Sequence, residues 1–116
     1  MITRLNEQKT TLKEHMRGGN KCVELRGLVN ELPQNSRLFS RITLVPGASI
    51  GYHVHENETE LFYFIEGSGL VNDDGNTFEV SAGDAMSTSS GHGHAVENNS
   101  DGDLVIVAVI IKDSAV

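Results

Sequence analysis

Short apolar stretches, separated by small clusters of polar, glycine and proline residues, make up most of the chain after residue 21. Stretches of this length with turn residues between them are typical of antiparallel strands. The pattern predicts strands at residues 22–28, 38–45, 49–55, 60–66, 70–72, 77–80, 85–88, 95–98 and 104–111. No helical pattern of ordinary length appears after residue 30, so we predict an all-β fold, an antiparallel sandwich or barrel.

The two ends of the chain differ from this pattern. Residues 1–19 are polar without a strong period and are expected to form an irregular arm, in which His15 is solvated. A short helix between Leu5 and Met16 also fits the spacing of the apolar residues there. Residues 104–111 are apolar on both faces, which predicts a strand that is buried or lies at a subunit interface.

Charge is distributed unevenly along the chain. The 116 residues carry a formal net charge of -7 with a pI near 5.1, which argues against nucleic acid or an anionic membrane as a partner. Eight of the nine Lys and Arg residues lie at or before Arg41, and none lies between Ile42 and Ile111, where eleven of the sixteen acidic residues fall. This central segment is suited to hold a cation, unless a metal or the N-terminal part supplies positive charge for an anion.

A reducing, cytoplasmic location is expected. The first ten residues, MITRLNEQKT, contain no apolar stretch like that of a secretory signal. The longest apolar run, residues 104–111, is far shorter than the roughly 20 residues that span a bilayer. Cys22 is the single cysteine, so no intrachain disulfide can form, and we interpret it as an unreactive buried thiol.

Two histidines separated by one residue are the first candidates for chemistry. His53 and His55 lie in a predicted strand, where residues i and i+2 face the same side, about 6.6 Å apart along the chain. Residues 56–59 are interpreted as a solvated turn, after which Glu60 begins the next strand and can bring its carboxylate beside the imidazoles. A fourth metal ligand must come from elsewhere, and the histidines after residue 60 are His92 and His94.

These residues resemble the two motifs of the cupin superfamily. The first motif, G-x5-H-x-H-x3,4-E-x6-G, is matched at every element by Gly47, His53, His55, Glu60 and Gly67. The second motif, G-x5-P-x-G-x2-H-x3-N, is matched by Gly83, Gly91, His94 and Asn98, with Ser89 in place of the proline. A serine leaves that turn less rigid but removes no ligand.

The resemblance implies a small single-domain cupin with a double-stranded β-helix, or jelly-roll, fold. Residues 1–36 would form the arm and the first strand of this domain, and residues 37–116 the cupin barrel. It also implies one divalent transition metal in the mouth of the barrel, bound by His53, His55, Glu60 and His94. Such ligands suit manganese, iron, cobalt, nickel, copper or zinc without choosing among them. A homodimer is expected on the same ground, and the apolar last strand supports it.

Three further residues near this site have two interpretations each. Phe62 and Phe64 share strand parity with Glu60, so they are expected to point inward, as core residues and as the wall of an apolar pocket near the metal. His92 lies two residues before His94, and it is a candidate for orienting a ligand or contacting a substrate.

The implied function is metal-dependent chemistry on a small organic molecule. Members of the superfamily include dioxygenases, decarboxylases, lyases and isomerases, and the fold does not choose among them. A sugar-phosphate isomerase would need cations for the phosphate, and Arg37 and Arg41 could serve if their face of the strand is the inner one. Glu60 disfavours a thiol dioxygenase, since those enzymes typically lack the glutamate ligand. The alternative is a non-catalytic module that binds a small molecule or a metal.

Overall fold

The computed structural model describes residues 1–113, which form two facing antiparallel β-sheets. The strands are β1 (Thr10–Glu14), β2 (Cys22–Gly27), β3 (Ser36–Leu44), β4 (Ser49–Val54), β5 (Glu58–Glu66), β6 (Ser68–Asp73), β7 (Asn76–Ser81), β8 (Ala85–Thr88), β9 (Gly93–Glu97) and β10 (Leu104–Lys112). Two short 3₁₀ helices lie at Leu5–Glu7 and Met16–Gly18. No helix in residues 1–113 is long and apolar enough to cross a membrane.

The two sheets have the arrangement of a jelly roll. The larger sheet has the strand order β1-β2-β3-β10-β5-β8, and the smaller has the order β4-β9-β6-β7. From β3 onward the chain passes back and forth between the two sheets. The predicted all-β, double-stranded β-helix fold is therefore confirmed. The ladders formed by residues 1–113 leave the sheets separate rather than closed into a hydrogen-bonded barrel.

Apolar side chains from the facing sides of the sheets form one core. In β5, Phe62 and Phe64 point inward and are buried, whereas Tyr63 between them is exposed on the outer side, as strand alternation requires. The smaller sheet adds Ile50, Val71 and Val96 to the same cluster. The apolar last strand, β10, lies between β3 and β5 in the middle of the larger sheet, which explains why most of its side chains are buried.

The N-terminal arm is more regular than the sequence predicted. Residues 10–14 form β1, which pairs with β2 at the edge of the larger sheet, so the predictions of an irregular arm and of a helix between Leu5 and Met16 were wrong here. All five residues of β1 are exposed, and an exposed edge strand has no alternation of buried and polar positions to reveal it. Its backbone ladder with β2, rather than burial of side chains, holds it in place.

After β1 the arm crosses to the smaller sheet and packs closely on β4. A Cβ atom at Gly51 would collide with the carbonyl oxygen of Arg17, and one at Gly19 would collide with that of Ser49. Two backbones can approach this closely only where glycine leaves room. The arm is thereby fixed on the strand that carries His53.

Candidate metal centre

The four predicted ligands come together between the two sheets. His53 lies in β4 opposite His94 in β9, His55 follows the end of β4, and Glu60 projects from β5 in the facing sheet. Their nitrogen and oxygen atoms all lie within 4.8 Å of one another. His55, Glu60 and His94 are buried and His53 is half-buried, so the cluster is compatible with a metal site.

The separations within the cluster fit those of ligands around one ion. His55 Nε2 and His94 Nε2 each lie 3.0 Å from Glu60 Oε1, and the two nitrogens lie 3.1 Å apart. Two ligands at right angles, with bonds of about 2.1 Å, would be about 3.0 Å apart. The spacing is therefore that of neighbouring positions in one coordination sphere.

Hydrogen bonds at Nδ1 orient two of the imidazoles, those of His53 and His94. His53 Nδ1 lies 2.8 Å from the carbonyl oxygen of Gly51, which can only accept, so Nδ1 must carry the proton. His94 Nδ1 lies 2.8 Å from Thr88 Oγ1. An Nδ1–H that donates to this hydroxyl leaves the Nε2 lone pair of His94 free, which is the tautomer a metal requires.

Glu58 fixes the third imidazole and was missed by the sequence interpretation. The Oε2 atom of Glu58 lies 2.7 Å from His55 Nδ1. Arg37 donates its Nε–H to Oε1 and its Nη2–H to Oε2 of Glu58, and both donor–acceptor distances are 2.7 Å. This pairing with Arg37 lowers the pKa of Glu58 to about 2, so the carboxylate is ionised and accepts the Nδ1–H of His55. The interpretation of residues 56–59 as a solvated turn was wrong for Glu58, which begins β5.

Glu58 and Glu60 have the same strand parity, and Glu58 follows His55 by three residues. That pattern is the signal that could have revealed it.

The Nε2 atoms of the three histidines and the carboxylate of Glu60 direct their unshared electron pairs toward one point. Such groups repel one another at these distances unless a positive charge lies among them. Burial lowers the pKa of His53, the most exposed of the three histidines, which favours a neutral imidazole and an available lone pair. The donor set and its orientation therefore fit a divalent metal ion.

A cavity of about 340 Å³ opens beside the cluster. His53, His55 and Glu60 line it together with Phe62, whose ring stacks on that of His94 at a centroid distance of 5.0 Å and an interplanar angle of 18°. Phe64 is fully buried behind Phe62, with ring centroids 6.1 Å apart, and is not among the lining residues.

The two remaining histidines occupy different places. His92 is exposed, its Nδ1 lies 2.8 Å from Asp74 Oδ2, and it does not line the cavity. His15 was expected to be solvated; it is exposed but also lines the cavity, and its Nδ1 lies 3.1 Å from the carbonyl oxygen of Gly19.

Three cationic side chains line the cavity, all from the N-terminal part of the chain: Lys13, Arg17 and Arg37. Phe39, on the odd-numbered face of β3, is partly exposed and Ile42 is buried, so the odd-numbered face is the outer one. Arg37 nevertheless reaches the cavity and is paired there with Glu58. The positive charge that residues 42–111 lack is thus supplied largely by the arm, through Lys13 and Arg17.

Comparisons with known proteins agree with this architecture. A family model described as the cupin domain matches residues 40–110. The oxalate-binding protein of Thermotoga maritima is 39% identical over 113 residues, which cover 96% of this chain and 93% of that protein. The crystal structure of a predicted oxalate decarboxylase from Thermotoga maritima is 38% identical, with a TM-score of 0.91, covering 97% of this chain and 99% of that chain.

A more distant structure, KdgF from Halomonas sp., is 15% identical and has a TM-score of 0.75, covering 97% of this chain and 93% of that chain. At this identity the likeness concerns the fold alone. The family model spans more than half of the described residues, and the oxalate-binding relative matches almost the whole chain. The chain belongs to the cupin family.

Proposed function

We propose that this protein binds one divalent transition-metal ion through His53, His55, Glu60 and His94, and binds a small dicarboxylate of the oxalate type at that ion. The observation that carries the proposal is the convergence of the imidazole Nε2 atoms and a buried carboxylate oxygen on one point beside a cavity. The oxalate-binding relative, at 39% identity, supports the choice of ligand class.

The metal would be manganese, iron, cobalt, nickel, copper or zinc, the ions that suit three imidazoles and one carboxylate. When bound, it would act as a Lewis acid that holds and polarises carboxylate oxygens. The protein's own groups do the rest. Glu58 and Thr88 hold two imidazoles in the ligand tautomer, and Phe62 gives the cavity an apolar wall.

The size of the cavity agrees with a small ligand. Its volume of about 340 Å³ falls at the lower end of the range typical of small-molecule sites, roughly 300–1,000 Å³. Four protein ligands also leave positions at an octahedral metal that two oxygens of one dicarboxylate can take. The site is therefore large enough for oxalate together with several water molecules.

A second candidate function is decarboxylation of the same ligand. Glu14 and His15 line the cavity and are groups that can deliver a proton to it. In that reaction the carbon–carbon bond of hydrogen oxalate breaks, carbon dioxide leaves, and the remaining carbon takes up the proton to give formate. No net oxidant or reductant is consumed.

One experiment tests both functions. Protein purified without chelator should contain about one transition-metal ion per chain by elemental analysis, and His94→Ala should lose it. Calorimetric titration of the metal-loaded protein should show oxalate binding. Formate should be assayed in the same samples under air and under nitrogen, since formate production would favour the enzyme and its absence the binding module. Wild-type protein that stays metal-free after incubation with manganese, iron, nickel and zinc would contradict the proposal.

A further inference from the structure

Two cations of the arm line the cavity beside the candidate metal centre and have no ion-pair partner in the described chain. Lys13 and Arg17 both line the cavity, and neither forms a salt bridge with any of residues 1–113. Arg37, the third lining cation, is instead neutralised by Glu58.

The backbone around Arg17 is held in an unfavourable conformation. Arg17 has φ of 55° and ψ of 31°, and His15 has φ of 50° and ψ of 44°, so both are left-handed despite their Cβ atoms. Residues other than glycine adopt this conformation at a steric cost, and they retain it where the surroundings impose it. Here the backbone of Arg17 packs closely on Gly51, and Arg17 lines the cavity.

The charges of the cavity match a dianion. Lys13 and Arg17 are opposed there by one carboxylate outside the ligand set, that of Glu14, so one positive charge remains. A divalent ion bound by Glu60 would add one more, since the carboxylate cancels only half of its charge. With the ion bound, two positive charges would therefore face the cavity in a chain whose overall charge is -7.

We propose that Arg17, assisted by Lys13, binds the outward-facing oxygens of a dicarboxylate whose other oxygens bind the metal, and so selects dicarboxylates over monocarboxylates. This inference rests on the proposed function. Oxalate bound to a metal through one oxygen of each carboxylate leaves two oxygens facing away from the ion. The planar guanidinium can donate two parallel hydrogen bonds to such a pair of oxygens, whereas acetate bound to the metal leaves at most one oxygen free and cannot accept both.

Binding of oxalate and of acetate to the manganese-loaded protein tests this selectivity. Arg17→Asn removes the charge while retaining a residue that tolerates the left-handed conformation. We expect it to weaken oxalate binding at least about tenfold in calorimetric titration, the scale of a lost charge-assisted hydrogen bond. Metal content should stay unchanged, and acetate affinity should fall much less than oxalate affinity, because acetate loses only the attraction of the charge and not a pair of hydrogen bonds. Arg17→Lys should retain part of the oxalate affinity, because it restores the charge but not the paired donors.

Arg4→Gln is the matched control, since it removes a cation of the same arm that does not line the cavity. It should bind oxalate as the wild type does. A metal-loaded Arg17→Asn protein with wild-type oxalate affinity would overturn this inference alone. A wild-type protein that holds no metal would overturn the proposed function, and this inference with it, so the two failures are distinguishable.

Discussion

At the scale of single residues, the two nitrogens of the His55 imidazole have different roles: one is hydrogen-bonded and the other faces the candidate metal centre. Its Nδ1–H donates to Glu58, and its Nε2 faces Glu60 and His94. A carboxylate that accepts from a ligating histidine fixes its tautomer and makes the other nitrogen more basic. Pairing with Arg37 lowers the pKa of Glu58 to about 2, so this carboxylate stays ionised at neutral pH.

We therefore expect Glu58→Gln to bind metal about 10–100-fold more weakly than the wild type, the usual effect of losing such a partner. The amide keeps the size of the side chain but loses the charge that Arg37 and His55 share. Competition with a chelator of known affinity measures the change. Glu56→Gln is the matched control, because Glu56 is an exposed acid in the turn directly before β5. Equal metal affinity in the two variants would show that Glu58 does not support the ligand.

The site residues that the sequence predicts are positioned by local spacing, whereas the one it missed depends on a contact between distant strands. His53, His55, Glu60 and His94 follow from motif spacing, because strand periodicity and turn length fix their relative positions. The role of Glu58 depends on Arg37, which follows a long loop and belongs to another strand. Spacing along the chain can place Glu58 near His55, but it does not reveal the contact with Arg37.

At the scale of elements, the arm is the part that sequence described least well. Its strand β1 has no buried face, and its crossing to β4 depends on contacts with residues 30 or more positions away. Strands of the core, such as β5 and β10, were predicted within two residues because alternation or a continuous apolar run marks them. The pattern of apolar and polar residues predicts a strand only where side chains are buried, and few side chains of the arm are buried.

The contact between the arm and β4 gives a prediction for this element. We expect Gly51→Ala to reduce the free energy of unfolding by about 1–3 kcal/mol, as overpacking does, because the new Cβ collides with the Arg17 carbonyl oxygen. Displacing the arm should also weaken oxalate binding while leaving the metal ligands in place. Denaturant unfolding and calorimetric titration measure the two effects.

Gly27→Ala is the control for this change. It also lies in a strand, but a Cβ there would meet nothing within 4 Å, so stability should stay within about 0.5 kcal/mol of the wild type. If Gly51→Ala were as stable as Gly27→Ala and bound oxalate normally, the arm would have to be free to shift without consequence for the site.

At the scale of the whole molecule, the outer side of the larger sheet is apolar over three adjacent strands. Val109 lies opposite Phe39 on β3 and opposite Leu61 on β5, and Val107 lies opposite Tyr63. Phe39, Leu61 and Tyr63 are between 36% and 51% exposed. A contiguous apolar surface of this kind on a sheet is a common interface between subunits. We therefore propose that two copies of the chain pack through this face, as expected from the family resemblance.

A charge in the middle of this face should prevent the association. In a two-fold symmetric dimer each subunit brings the same residue to the interface, so Tyr63→Glu would place two carboxylates close together in an apolar setting. Light scattering should give twice the 12.6 kDa mass of the chain for the wild type and a single chain mass for the variant. Phe78→Glu alters an equally exposed aromatic residue on β7 of the other sheet and should remain dimeric. A monomeric wild type, or a dimer that only Phe78→Glu disrupts, would rule out this face as the interface.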